Sequence, residues 1–243
     1  MTLYFKRTLL LLGLVTILGS CSTYFYYPTE QNVLRFKEKG DISASYSVDV
    51  GPFQHFNAGY SITPNIALSS SFRTFQLESQ PNKKHKKLDD YLWENELTLY
   101  HKLPFNFYPA INIGQGFGEI NMLNGGYDLR VNRLYIQPSI GYSNDFFDLA
   151  ISSRVSKVSY SIKQLRELPC YLEFREHYKL QDVGLKDFIF LEPAVTVGVG
   201  YKSIKLRFQY LTAMEITGGR IPYIRGSMLL SLNLRLNVFK FRR

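Results

Sequence analysis

The sequence predicts an all-β chain: a closed, antiparallel, up-and-down transmembrane β-barrel of about ten strands (8–12), placed behind a secretory signal segment. Three observations predict it. From Asp41 onward large apolar residues recur at every second position with hardly a break, the period of a strand with two unlike faces. The alternating segments run to about 10–14 residues, which suits a tilted membrane span, whereas soluble strands average about 5–6. The connections alternate between short and long, as they do in barrels with tight turns at one end and long loops at the other.

The first twenty residues read as the signal. Lys6 and Arg7 give a positive start, and Leu9–Leu18 is an apolar run too short to cross a bilayer comfortably. The small residues Gly19 and Ser20 stand directly before Cys21. Residues 21–39 follow as a tether, with Tyr24, Tyr26 and Tyr27 suited to a membrane interface.

The barrel domain, 40–243, then divides in order. Strands are expected over 40–49, 54–63, 66–77, 91–103, 107–119, 128–142, 146–160, 188–201, 204–213 and 223–239. The alternation is plain in Phe147, Leu149, Ile151 and Val155 against Asp148, Ala150, Ser152 and Arg154. It returns in Ile204, Leu206, Phe208 and Tyr210 against Lys205, Arg207 and Gln209. Tight turns fall at 63–65, 103–106, 143–145 and 202–203, and longer connections at 78–90, 120–127, 161–187 and 214–222. The connection at Val50-Gly51-Pro52 is short where the scheme places a long loop. The polar face is rich in small residues, among them Ser69, Ser71, Gly114, Gly116, Gly118, Gly198 and Gly200, which suits a narrow lumen better than a solvated surface. With an even strand count both ends of the barrel domain fall on the tight-turn side, and Cys21 is expected there too.

Composition agrees. Apolar residues make up 45% of the chain and aromatics 15%, with 18 Tyr, 18 Phe and a single Trp, a bias that favours strands. No long stretch beyond the signal shows helical periodicity. The net charge is +9, or +7 without Lys6 and Arg7. Secretion argues against nucleic acid as the partner and for an anionic membrane surface. Once Cys21 is set aside, Cys170 stands alone, so the mature chain forms no internal disulfide.

Two resemblances add to this reading. Leu18-Gly19-Ser20-Cys21 resembles the bacterial lipobox. That resemblance implies cleavage before Cys21, diacylglycerol on its sulfur, and lipid anchoring at the bacterial outer membrane. The lipobox, Tyr27-Pro28-Thr29, Phe36-Lys37-Glu38-Lys39-Gly40-Asp41 and the hairpin Ala58-Gly59-Tyr60-Ser61-Ile62-Thr63-Pro64-Asn65-Ile66-Ala67-Leu68 together resemble small outer-membrane β-barrel lipoproteins of Bacteroidota. The later strands are similar to small barrels of the OmpA/OmpX type. The ending Phe239-Lys240-Phe241-Arg242-Arg243 departs from that type, which usually stops on the aromatic. No catalytic residue comes with either resemblance.

The chemistry the residues offer is sparse. The histidines are His55, His85, His101 and His177, and none pairs with another at metal-ligand spacing. His101 shares the apolar register with Leu97 and Leu99, but no Gly-x-Ser-x-Gly elbow supplies a nucleophile. No catalytic residue, metal ligand or cofactor site is expected, and the chain is read as a non-enzyme. Lys83, Lys84, Lys86 and Lys87 form a basic cluster that could meet anionic lipid. On the polar register lie Arg73, Glu94, Glu96, Arg133, Asp148, Arg154, Glu192, Lys205, Arg207 and Arg235. Buried charges must pair, so these ten are expected to form a lumenal ion-pair network. The favoured role is structural or interactive through the outer loops, with protein partners at 78–90 and 161–187. A narrow channel, a lipid-modifying enzyme and a lipid-tethered periplasmic sandwich stand as alternatives.

Overall fold

The computed structural model describes residues 24–33, 36–49, 53–77, 88–121, 127–165, 183–219 and 221–239. Its strands are β1 (Asp41–Asp49), β2 (Phe53–Ser61), β3 (Ile66–Leu77), β4 (Leu88–Tyr100), β5 (Phe107–Asn121) and β6 (Tyr127–Ser143). They continue with β7 (Phe147–Leu165), β8 (Phe188–Tyr201), β9 (Ile204–Thr212), the two-residue β10 (Met214–Glu215) and β11 (Gly226–Asn237). Each strand pairs antiparallel with its sequence neighbour from β1 to β9. β11 then pairs with both β9 and β1, from Asp41↔Asn237 to Asp49↔Leu229, and so closes the sheet.

The barrel has ten staves, because β9 and β10 are one stave broken at Ala213. β9 pairs with β8 as far as Leu211↔Ala194, and β10 resumes at Met214↔Leu191. Pro193 lies in the gap. It has no N–H to donate to a ladder, and the Ala213 N–H turns instead to the Arg225 carbonyl at 2.8 Å. This break is why the last strand begins at Gly226 rather than at the expected 223. β4 runs over Leu88–Tyr100 rather than the expected 91–103. It ends early because Pro104 opens a one-turn 3-10 helix, Pro104–Asn106, in which Phe105 and Asn106 take φ of 60° and 62°. The longest strands, β6 and β7, rise past the wall on the long-loop side.

The side-chain distribution is the reverse of a soluble protein's. Arg133, Arg154, Gln137 and Glu192 are fully buried, while Leu134, Ile136, Ile151, Val195, Leu206 and Leu232 are largely exposed on the outer wall. Tyr46, Phe56, Phe72, Trp93 and Phe117 stand in one register row across β1–β5, with Phe72 and Trp93 rings 6.4 Å apart. A second aromatic set, Phe107 with Tyr142 and Phe146 with Tyr201, lies at the tight-turn end. Phe117 and Phe107 are ten residues apart on β5. At about 3.3 Å per residue and a tilt near 40°, these two rings are roughly 25 Å apart along the barrel axis, the height of the apolar band on membrane barrels. Towards the long-loop end the outer wall turns charged, with Lys157–Asp187 at 2.7 Å and Lys163–Glu119 at 2.9 Å. Such a surface belongs in lipid. No described helix is long and apolar enough to cross a membrane; the strands form the wall.

Candidate functional site

The lumen is occupied by the chain's own N-terminal segment. Residues 24–33 and Phe36, which fall within the tether expected over 21–39, lie inside the barrel rather than at a membrane interface. Phe25, Tyr26, Thr29, Gln31, Asn32, Val33 and Phe36 are all buried. The segment carries a polar side chain at nearly every position that faces a wall charge. Buried polar groups on a wall need partners, and here the segment supplies them.

The descent can be followed residue by residue. At the long-loop end the Phe25 N–H donates to the Pro222 carbonyl at 2.8 Å, and the Tyr160 hydroxyl donates to the Phe25 carbonyl at 2.9 Å. The Tyr26 ring stacks on Phe190 with centroids 3.7 Å apart, and its hydroxyl donates to Glu192 Oε1 at 2.7 Å. Arg73 donates to the Tyr27 carbonyl at 2.9 Å and sits over the Tyr27 and Phe53 rings. Thr29 is the centre: its hydroxyl donates to Glu94 Oε2 at 3.0 Å and accepts from Arg133 Nη1 at 2.9 Å and Arg154 Nη1 at 2.6 Å. Glu30 accepts from Ser47 at 2.7 Å and from Asn57. Gln31 exchanges bonds with Gln209, its N–H donating at 2.8 Å and its carbonyl accepting at 3.0 Å. Asn32 donates to Glu96, and its carbonyl accepts from Asn112 and Gln137, both at 2.9 Å. The Val33 carbonyl accepts from Arg207 at 3.2 Å. Phe36 packs near Tyr100 at the tight-turn end, and the Lys37 and Glu38 N–H groups donate to Asp41 Oδ2 at 2.7 and 3.1 Å.

The ten polar-register residues fall into two ionic clusters rather than one network, with three members set apart. In the upper cluster Arg133 lies between Glu94 (3.1 Å) and Glu192, and Arg154 is 4.0 Å from Glu94. In the lower cluster Asp148 takes Lys205 Nζ at 2.6 Å and Arg207 Nη2 at 2.7 Å. Glu96 joins through neutral partners, Ser69 at 2.6 Å and the Tyr135 hydroxyl at 3.1 Å. Arg73 stands above the upper cluster, and Arg235 lines a cavity of about 400 Å³ at the tight-turn mouth with Lys37, Asp41, Asp145 and Lys202. At that mouth burial, helped by the positive charges of Arg235 and Lys205, lowers the Lys37 ammonium from 10.5 to about 8.

Two glycines make the clusters fit. A Cβ on Gly114 would lie 2.3 Å from the Tyr135 ring, and one on Gly198 would lie 2.9 Å from Arg207 Cγ and 3.1 Å from Asp148 Cβ. The large lumenal side chains occupy the volume those glycines leave. The lumenal role of Thr29, Glu30, Gln31 and Asn32 was not read from the sequence. Its signal was available: a dense run of hydrogen-bonding side chains placed just before a barrel whose inner face carries excess charge.

His101 lies beyond the end of β4, its Nδ1 3.0 Å from Asn65 Nδ2. Among the described residues, no group of three or more His, Cys, Asp or Glu could hold a metal ion. Cys21, Lys83, Lys84, Lys86, Lys87 and Cys170, with most of 78–90 and 161–187, lie outside the described residues.

No protein-family model matches the sequence, and no curated protein matches it. Solved structures do. The N-terminal β-barrel domain of Pseudomonas aeruginosa OprF is 8% identical, with TM-score 0.34, over 82% of this chain and 98% of that one. The β domain of the Bordetella autotransporter BrkA is 10% identical, with TM-score 0.39, over 81% and 97%. OmpT, an outer-membrane protein of Vibrio cholerae, is 11% identical, with TM-score 0.35, over 91% and 73%. These are similarities of fold alone.

Proposed function

We propose that the protein is a bacterial outer-membrane β-barrel whose lumen is sealed by its own N-terminal segment, and that it works as a non-conducting transmembrane platform. Its role is structural or interactive, exercised through the face that carries the long connections, with no catalytic step. The occupied lumen carries this reading. A channel needs a continuous polar path, and Thr29, Gln31 and Asn32 stand across that path, bonded to both sides of the wall. The exposed apolar outer wall supports the membrane placement. Lipid anchoring through Cys21 is part of the proposal and rests on the lipobox resemblance.

Planar-bilayer recording of the purified full chain tests the sealed lumen. The expected result is a silent membrane after insertion, with insertion itself verified by protease protection. Regular conductance steps from the full chain would overturn the reading in favour of a channel. The membrane placement has its own test. A Cys21→Ala variant should still fractionate with the outer membrane and keep heat-modifiable gel mobility; release into the soluble fraction would overturn it.

A further inference from the structure

The direction in which the N-terminal segment threads the barrel fixes where its leading end emerges. We infer that the chain ahead of Tyr24 leaves through the long-loop mouth, so that a diacylglycerol on Cys21 enters the leaflet on the long-loop side, opposite the tight turns. This rests on the membrane placement proposed above and reverses the side expected from strand parity.

Four observations carry it. Phe25 and Tyr26 are tied to the long-loop end, by the 2.8 Å bond to Pro222 and a bridge between Tyr26 and Tyr223. The order of contacts along β4 is monotonic: Thr29 meets Glu94, Asn32 meets Glu96, and Phe36 meets Tyr100, the residue where β4 reaches the tight-turn end. The β1–β11 ladder is unbroken over nine residue pairs, so that seam offers the chain no lateral exit from the lumen. Chain length does the rest. Cys21 is three residues from Tyr24, and an extended chain covers at most about 3.6 Å per residue, so Cys21 stays within about 11 Å of Tyr24. The opposite leaflet lies across an apolar band roughly 25 Å tall. The lipid therefore cannot reach the tight-turn leaflet while residues 25–36 hold their places. In an outer membrane with short turns facing the periplasm, this puts the lipid on the cell-surface side. A barrel that threads its own leader becomes the route by which its anchor reaches the outer leaflet.

Single-cysteine labelling in intact cells tests the topology. In a Cys170→Ser background, required first to be unlabelled because diacylglycerol caps the Cys21 sulfur, Thr23→Cys reports the leading end, Leu185→Cys the long-loop end, and Asp145→Cys a tight turn. Leu185 is 81% exposed, and Asp145 is exposed in the turn between β6 and β7. Each variant is first required to keep heat-modifiable mobility. A membrane-impermeant maleimide should label Thr23→Cys together with Leu185→Cys, while Asp145→Cys labels only after the outer membrane is permeabilised. Labelling of Thr23→Cys only together with Asp145→Cys would overturn the threading inference and leave the barrel reading intact. Identical labelling of Leu185→Cys and Asp145→Cys in whole cells would instead overturn the membrane placement, and the inference with it.

Discussion

Replacing Thr29 by Val removes one hydroxyl and almost no volume, yet that hydroxyl touches three buried charges. It donates to Glu94 at 3.0 Å and accepts from Arg133 at 2.9 Å and Arg154 at 2.6 Å. A hydrogen bond to a charged group contributes roughly 1.5–3 kcal/mol. A plain sum overstates the loss, because each group keeps other partners: Arg133 keeps Ser156 at 2.8 Å, and Arg154 keeps Gln137 at 2.9 Å. The expected cost is about 3 kcal/mol, a shift of roughly a hundredfold in the folding equilibrium. Trp93, the chain's single tryptophan, is 46% exposed on the outer wall and reports the loss of the lipid or micelle environment. Urea unfolding in detergent, followed by its fluorescence, measures the change. Thr196→Val is the matched control, since its hydroxyl accepts one neutral bond from Gln209 at 2.7 Å and should cost about 1 kcal/mol. Thr29→Ser should recover most of the loss. If Thr29→Val unfolds within about 0.5 kcal/mol of the parent chain, the ordinary scatter for an unimportant surface site, then Thr29 is not the hub the geometry describes.

Asp148→Asn removes the carboxylate that Lys205 and Arg207 meet at 2.6 and 2.7 Å; the expected loss is about 3–5 kcal/mol, read as a lower urea midpoint. Gly114→Ala puts a Cβ 2.3 Å from the Tyr135 ring, so overpacking should cost about 1–3 kcal/mol. Because that clash belongs to the pair, Gly114→Ala with Tyr135→Leu should be less destabilised than the sum of the single changes in a double-mutant cycle. Lys37 gives up its proton at about 8 in the folded chain, against 10.5 ordinarily. Between those values the unfolded chain binds more protons, so stability should rise as pH increases from about 8 to 10.5. Lys37→Met should remove that part of the slope in unfolding curves taken across the window, and an unchanged slope would exclude Lys37 as its source.

The wall was legible because its physics is local. Alternation in Ile204–Tyr210 or Phe147–Val155 needs only a strand with one face in lipid, and the short turns announce themselves through Pro64 and Pro104. The interior was legible by residue type but not by connection. Arg133, Glu94, Glu192 and Asp148 could each be placed on the inner face, yet nothing in the spacing says that Arg133 meets Glu94 and Glu192 while Asp148 meets Lys205 and Arg207. Those pairings depend on stave height, which is set by register carried across three strands at a time. The lumenal place of residues 24–33 and Phe36 was not legible for a related reason. Tyr24, Tyr26 and Tyr27 suit a membrane interface as well as they suit a lumen, and only the closed wall decides between the two. The stave break at Ala213 was hidden because Pro193 sits in an otherwise regular alternation and acts on a neighbour twenty residues away.

Barrel size explains why the segment is inside at all. An eight-stranded wall encloses just the space its own side chains fill, and diameter grows with strand number. Ten staves leave room that the inward residues cannot span, so charges on opposite sides would face each other across a gap. A peptide strand laid down the axis closes that gap, and its residues are spaced to do so: Thr29 joins β4 to β6 and β7, Glu30 reaches β1 and β2, Gln31 reaches β8 and β9, and Asn32 joins β4 to β5 and β6. The wall and the segment therefore solve one problem together. The wall pairs most of its charges with one another, and the segment adds the hydrogen bonds those pairs leave open at Glu94, Arg133, Arg154 and Arg207.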